Sequence, residues 1–322
     1  MDKKDEKILV ELIKNSRVPI NQLAKKVGVS REVANYRIGN LVKSGIINDF
    51  YTEINERLLG FERIGCIVQM KGISEKEERD LINSISKNKH VTYMGSIVGK
   101  WNFAFDIIVK SKIEIEKTIH EIFLKYKEKI KQYIINTTPI ESEFFPAKIF
   151  GSVYEEKTKK EKNLELTKKD FDILKILRSN SRVEYNELSK KLNLTGNAIK
   201  HRIKNLEKSG VIDSYTIAFD YSKLGFEFYN LQIKFVEYDF SKLKRFLREN
   251  KSVKYFYRHI GNPNWDLDVG LLVKTSKEIR EFLTKLKEYF GSVIEIHDLY
   301  LISEATKENI LPDVVFQEPN KL

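Results

Sequence analysis

The strongest constraint on this chain is that it repeats itself. Displaced by 165 residues, residues 5–61 align with residues 170–226 without a gap, and 23 of those 57 positions are identical. The identical runs include Asn15-Ser16-Arg17-Val18 with Asn180-Ser181-Arg182-Val183, and Lys43-Ser44-Gly45 with Lys208-Ser209-Gly210. Leu59-Gly60-Phe61 and Leu224-Gly225-Phe226 match as well. An ungapped match of this length marks a tandem duplication, so one fold must be built twice. Within 322 residues each copy has room for two small domains.

The duplicated stretch centres on one short helix. The first copy runs from Ser30 to Ile47, the second from Thr195 to Ile212. Each opens on a hydroxyl residue able to cap a helix and ends on a glycine that stops one, Gly45 or Gly210. Ala34, Ile38 and Leu41 recur at helical spacing, as do Ile199, Ile203 and Leu206, so one apolar stripe faces a core. The opposite face is polar and mostly basic: Arg31, Glu32, Asn35, Tyr36 and Asn40, then Asn197, Lys200, His201 and Lys204. Such a face suits a DNA groove.

Two helices precede it in each copy. Ile8, Leu9 and Leu12 mark the first, matched by Ile173, Leu174 and Leu177. Leu23, Ala24 and Val27 mark the second, matched by Leu188 and Leu192. A tight connection at Gly28-Val29 or Asn193-Leu194 leads into the third, and a short strand pair is expected through residues 46–54 and 211–219. This is a winged helix-turn-helix. Each then continues as strand, helix, two strands around a turn, helix, strand, a βαββαβ order that gives a ferredoxin-like sheet with both helices on one face. The alternating apolar residues on the other face predict that a second sheet covers it. The fold class is therefore α+β. The expected domains are helix-turn-helix units at residues 1–60 and 167–225, and βαββαβ units at 61–150 and 226–322, the last carrying the C-terminal tail. Residues 151–166, poor in apolar side chains, form the linker.

Composition narrows the function. Lys and Arg number 57 against 46 Asp and Glu, a net charge of +11 that favours polyanions, nucleic acid first. The single Cys66 excludes an internal disulfide and a cysteine-based zinc site. There is no apolar run of membrane length and no signal-peptide core, so the expected compartment is the cytoplasm, with no membrane partner. The five His lack metal spacing and no phosphate loop occurs, so the expectation is a non-enzyme with no metal and no cofactor.

This chain resembles the Lrp/AsnC (feast/famine) transcriptional regulators. The resemblance rests on Ser30…Arg37-Ile38…Leu41…Gly45 and Thr195…Arg202-Ile203…Leu206…Gly210, on Asp5…Ile8-Leu9 with Asn15-Ser16-Arg17, and on Leu59-Gly60-Phe61. It implies a sequence-specific regulator, here a fused pseudo-dimer reading two half-sites of double-stranded DNA and self-associating through its βαββαβ sheets. The DNA-facing residues are then Ser30, Arg31, Asn35, Tyr36, Arg37, Asn40 and Lys43, and Thr195, Asn197, Lys200, His201, Arg202, Lys204 and Lys208. Arg37 and Arg202, shared by the copies, read as phosphate contacts or wing anchors. The resemblance also implies a small-molecule effector such as an amino acid at glycine-containing turns, here Gly99, Trp101 and Asn102 or Gly261, Trp265 and Asp266. Asn102 lacks the charge that would pair with an ammonium. The competing readings are a siroheme-decarboxylase-like enzyme, suggested by Tyr257-Arg258-His259 at an exposed strand end, and a DNA-compacting protein.

Overall fold

The computed structural model describes residues 1–136, 139–152, 165–236, 240–307 and 311–317; most of the expected linker lies outside them. The first copy contains α1 (Lys3–Lys14), α2 (Ile20–Val27), α3 (Arg31–Lys43), β1 (Ile47–Ile54), β2 (Glu62–Met70), α4 (Glu75–Ser86), β3 (Val91–Val98), β4 (Phe103–Val109), α5 (Lys112–Phe123), β5 (Ile130–Asn136) and β6 (Glu141–Phe144). The second contains α6 (Lys168–Ser179), α7 (Tyr185–Leu192), α8 (Gly196–Ser209), β7 (Ile212–Phe219), β8 (Glu227–Phe235), α9 (Phe240–Glu249), β9 (Val253–Arg258), β10 (Leu267–Val273), α10 (Ser276–Phe290) and β11 (Ile294–Lys307). These elements form two compact units, one of helices α1–α3 and α6–α8 with β1 and β7, the other of the remaining strands and helices.

In the helical unit, local chemistry sets each boundary. Asp2 caps α1 and Asp5 returns the bond to the Asp2 N–H, a capping box repeated by Thr167 and Asp170 at α6. Ile8, Leu9, Leu12, Ile173, Leu174 and Leu177 are fully buried, each worth roughly 1.5–3 kcal/mol in water-exclusion terms. Helix α2 stops at Gly28, and α7 at Asn193, the one non-glycine residue with positive φ (51°) among the described residues.

The expected wing differs. Each copy supplies one strand, and β1 pairs antiparallel with β7, from Ile47 opposite Phe219 to Ile54 opposite Ile212. A lone strand leaves a row of unpaired N–H and C=O groups, and the duplicate copy satisfies them. Around this pairing the two Asn-Ser-Arg-Val runs meet. The Ser16 and Ser181 hydroxyls lie 2.6 Å apart and buried, and the Ser16 and Ser181 N–H groups donate to Tyr215 O and Phe50 O. Those partners are also 165 residues apart, so the packing has a pseudo-two-fold axis.

The tail belongs to this unit rather than to the second βαββαβ domain. Leu311 and Val315 are buried, and Arg178 of α6 donates to Leu311 O and Asp313 beneath Phe316. A short apolar segment is drawn to where an α6 arginine can satisfy its carbonyl.

In the sheet unit the strand order is β5-β2-β4-β3-β11-β8-β10-β9-β6. Each copy thus contributes the four-stranded order of a ferredoxin-like domain. Helices α4 and α5 pack on one face, with Leu81 and Ile85 in one cluster with strand residues Phe103 and Phe105; α9 and α10 do so with Leu247 and Phe282 in one cluster with Phe256 and Val269. The copies are expected to meet face to face. They also join edge to edge, β3 against β11, into one nine-stranded sheet. Strand β11 runs 14 residues where β5 runs 7, and that extra length reaches β3. The faces turned away from the helices still meet, in a buried cluster of Ile67, Ile97, Trp101, Trp265 and Tyr300. Strand β6 has no counterpart in the sequence reading; it crosses from the first copy to pair with β9.

Candidate nucleic-acid interface and effector turns

Helices α3 and α8 present the polar faces that their spacing requires. Arg31, Asn35, Tyr36, Asn40 and Lys43 are exposed, as are Asn197, Lys200, His201, Lys204 and Lys208; Tyr36 is 70% exposed. Ser30 and Thr195 spend their side-chain oxygens on capping, accepting from the N–H groups of Val33 and Ala198 at 3.3 and 3.2 Å. Beneath, Ala34 and Leu41, or Ile199, Ile203 and Leu206, are buried and fix which face turns outward.

Arg37 and Arg202 are placed otherwise than expected. Arg37 is half-buried and donates to Asp2 and Asp5, both at 2.8 Å. Arg202 donates to Asp170 at 2.9 Å and to the Thr167 hydroxyl at 3.1 Å. Each arginine therefore bolts the exposed helix to the capping box of the first helix in its own copy. Their charge is matched within their own copy. The hydrogen bonds Arg37 donates to Asp5 and then Asp2 raise its pKa, and Asp2 is lowered by the bond it accepts from the Asp5 backbone N–H and by Arg37.

The proposed effector turns hold their polar groups inward. Gly99 and Gly261 are exposed, with φ of 156° and 79°. Trp101 and Trp265 are buried, and their indole N–H groups donate to Asp298 at 3.1 Å and Asp268 at 2.9 Å. Asn102 bridges strands: its Oδ1 accepts from Met70 N at 2.8 Å. The Asp266 carboxylate accepts from Phe235 N at 2.8 Å and pairs with Lys234 at 3.2 Å. It is already spent on the protein's own cation.

The two copies differ sharply on the face they share. Ile97 N donates to Asn102 O as His259 N donates to Asp266 O, which aligns Ile97 with His259 and Ala104 with Asp268. The registers Ile67 to Ile134 and Gln232 to Asp298 align those two pairs as well. Four apolar positions of the first copy are thus His, Asp, Gln and Asp in the second. His259 is not at an exposed strand end; it is 9% exposed, with Nε2 2.9 Å from Asp268. Its Nδ1 and Gln232 Oε1 have no hydrogen-bond partner among the described residues. Arg258 turns the other way, over the Phe240 ring and 3.7 Å from Glu141. Tyr257 and His259 lie together, ring centres 6.4 Å apart, while Arg258 is not part of that pair. No cluster of metal-binding side chains occurs among the described residues, and no helix there is long and apolar enough to cross a membrane.

A winged helix-turn-helix DNA-binding family model matches residues 1–48 and 166–213, the two repeats. An uncharacterized HTH-type transcriptional regulator of Pyrococcus abyssi is 36% identical over 152 residues, covering 45% of this chain and 98% of that protein. The HTH-type transcriptional regulator LrpB of Bacillus subtilis is 29% identical over 141 residues, 44% of this chain and 90% of LrpB. Among solved structures, that of the siroheme decarboxylase NirDL covers 97% of this chain and 96% of its own, with a TM-score of 0.67 and 16% identity. At that identity the likeness is one of fold.

Proposed function

Since the chain belongs to the Lrp/AsnC family of helix-turn-helix regulators and carries the family's unit twice, we propose that it acts as a one-chain pseudo-dimer on DNA. In this reading α3 and α8 enter successive major grooves, about 34 Å apart along the duplex. The observation that carries the reading is the pairing of β1 with β7, which ties two exposed recognition faces into one unit. Lys43 and Lys208, in the last turns, hold phosphates, and the outer faces of the helices read bases. Asn35 suits adenine and Arg31 guanine, each bidentate contact worth about 1–3 kcal/mol of discrimination.

The two faces are unlike. Arg31, Asn35 and Tyr36 stand where the second copy has Gly196, Lys200 and His201. The half-sites are accordingly unlike too, and the operator is an imperfect palindrome. An amino-acid effector at the Gly261–Asp266 turn would have to displace Lys234 from Asp266, so this reading assigns that turn a structural part. The decarboxylase reading is the weaker one: its full-length likeness is of fold alone, whereas the sequence relatives are helix-turn-helix regulators.

The test is selection of duplexes from a random pool by the purified full chain, followed by a salt series on the winner and a scrambled control. Regulator behaviour is a strong preference for the winner, with log affinity falling steeply in log salt. Equal affinity for both duplexes would instead describe a compacting protein.

A further inference from the structure

The Asn-Ser-Arg-Val run occurs twice without change, and the DNA faces proposed above include neither copy. In the helical unit the two runs converge on a cavity of about 380 Å³ whose lining includes Arg17, Pro19, Arg182, Glu184 and Tyr185. Two guanidinium groups therefore share one hollow on the pseudo-two-fold axis. Arg17 is partly satisfied: Nη1 donates to Ser181 O and to Val183 O at 3.2 Å, and its Cζ lies 5.2 Å from the Tyr185 ring centre and 5.3 Å from that of Tyr215. Arg182 is not. Its Cζ lies 5.2 Å from the Phe50 ring, but Nη1 is buried and has no hydrogen-bond partner among the described residues. A buried, unpaired guanidinium donor is costly, and a like charge beside it adds to that cost.

Two more features point the same way. Helices α2 and α7 begin at this cavity, at Pro19 and Glu184, and neither has a side-chain cap, so their first N–H groups lack side-chain acceptors. Burial and then the Arg17 charge hold the Arg182 guanidinium below its ordinary range. Glu184 is the one carboxylate among the lining residues, and it is exposed.

We infer that this cavity is a binding site for a small anion, a carboxylate or phosphate group, held between Arg17 and Arg182 with the Tyr185 ring as its wall. The site is single because it lies on the axis, and it is unequal about it: Pro19 and Ile20 stand where the second copy has Glu184 and Tyr185. An anion there would bridge the two copies beside the strand pair that joins the recognition helices. It is a means of regulation separate from the sheet unit.

The experiment is isothermal titration calorimetry of the full chain with inorganic phosphate, citrate and succinate, each against sodium chloride of equal ionic strength. One anion should bind saturably at one per chain and raise the melting temperature. Arg182→Gln should weaken it at least tenfold, the loss of a charge-assisted bond. Glu184→Gln, on an exposed position, should tighten it several-fold, and keeps the test decisive should Arg182→Gln fold poorly. Heat and stabilisation that follow ionic strength alone, or that neither variant changes, would overturn the proposal. So would Arg182→Gln lowering the salt slope of DNA binding by about one phosphate contact, because the arginine would then belong to DNA.

Discussion

Replacing Arg202 with Gln should cost stability and leave the charge contacts with DNA intact. The arginine, its side chain 32% exposed, donates to Asp170, 9% exposed, at 2.9 Å and to Thr167 Oγ1 at 3.1 Å. Asp170 keeps its bonds from the Thr167 N–H and hydroxyl at 2.9 and 2.6 Å, so it is not stripped bare. Removing one charged partner of a hydrogen-bonded carboxylate costs about 1–3 kcal/mol. Water reaching the third-exposed arginine reduces that, and about 1–2 kcal/mol is expected. For a unit of this size the melting temperature falls by about 3–8 °C. The salt slope of DNA binding should not change, because a residue already paired within the protein releases no counterion from DNA. Lys208→Gln, an exposed control, should do the reverse: the slope drops by about 0.9 with little change in melting. Thermal unfolding and a log-affinity against log-salt series measure both. An Arg202→Gln protein that melts normally and loses about 0.9 of slope would refute the reasoning. Arg37→Gln, tied to Asp2 and Asp5, should follow Arg202→Gln in the sign of both readouts.

Other outcomes follow from the sheet unit. A Cβ on Gly270 would sit 2.4 Å from Cε1 and 2.7 Å from Cδ1 of Tyr255, so Gly270→Ala should destabilise by about 1–3 kcal/mol, read from the denaturant midpoint; an unmoved midpoint would contradict the packing. Burial, against the opposing pull of Glu143, holds Lys148 at about 7 while its ammonium donates to Leu247 O and Asn250 O at 2.8 and 2.9 Å. The unfolded lysine keeps its proton to higher pH, so the unfolded chain binds more protons between about pH 7 and 10 and stability rises across that range. The rise is at most about 1.4 kcal/mol per pH unit from this group, and Lys148→Met should flatten it; an unchanged profile in the variant would exclude Lys148 as the source. Burial and the Asp106 charge push the Cys66 thiol far up, so it should resist maleimide in the native protein and react on unfolding; rapid native labelling would contradict its place in the core.

Much of this architecture was legible because the chain states it twice. Apolar spacing located the helices, and the serine, threonine and glycine at the ends of α3 and α8 placed their limits. The element order gave the ferredoxin-like sheets. Partner choice was not legible. Nothing in residues 47–54 says that the matching strand is 165 residues away rather than the next one, since any strand edge offers the same donors and acceptors. Strand β6 is short and polar enough to pass as loop. His259 read as exposed because alternation shows only that a side chain lies on one face, and here both faces of the sheet are covered. The roles of Arg37 and Arg202 left one signal: each stands 32 residues after Asp5 or Asp170 in both copies. A duplicated acid and a duplicated base at fixed separation are what a structural pair would leave.

The most direct test of the central claim is the footprint and stoichiometry of the full chain on a selected duplex. One chain should protect two unlike half-sites whose centres lie about 34 Å apart, in successive major grooves. Exchanging α3 surface residues Arg31 and Asn35 should alter preference in one half-site only. Two chains on two identical half-sites, or protection without sequence preference, would contradict it.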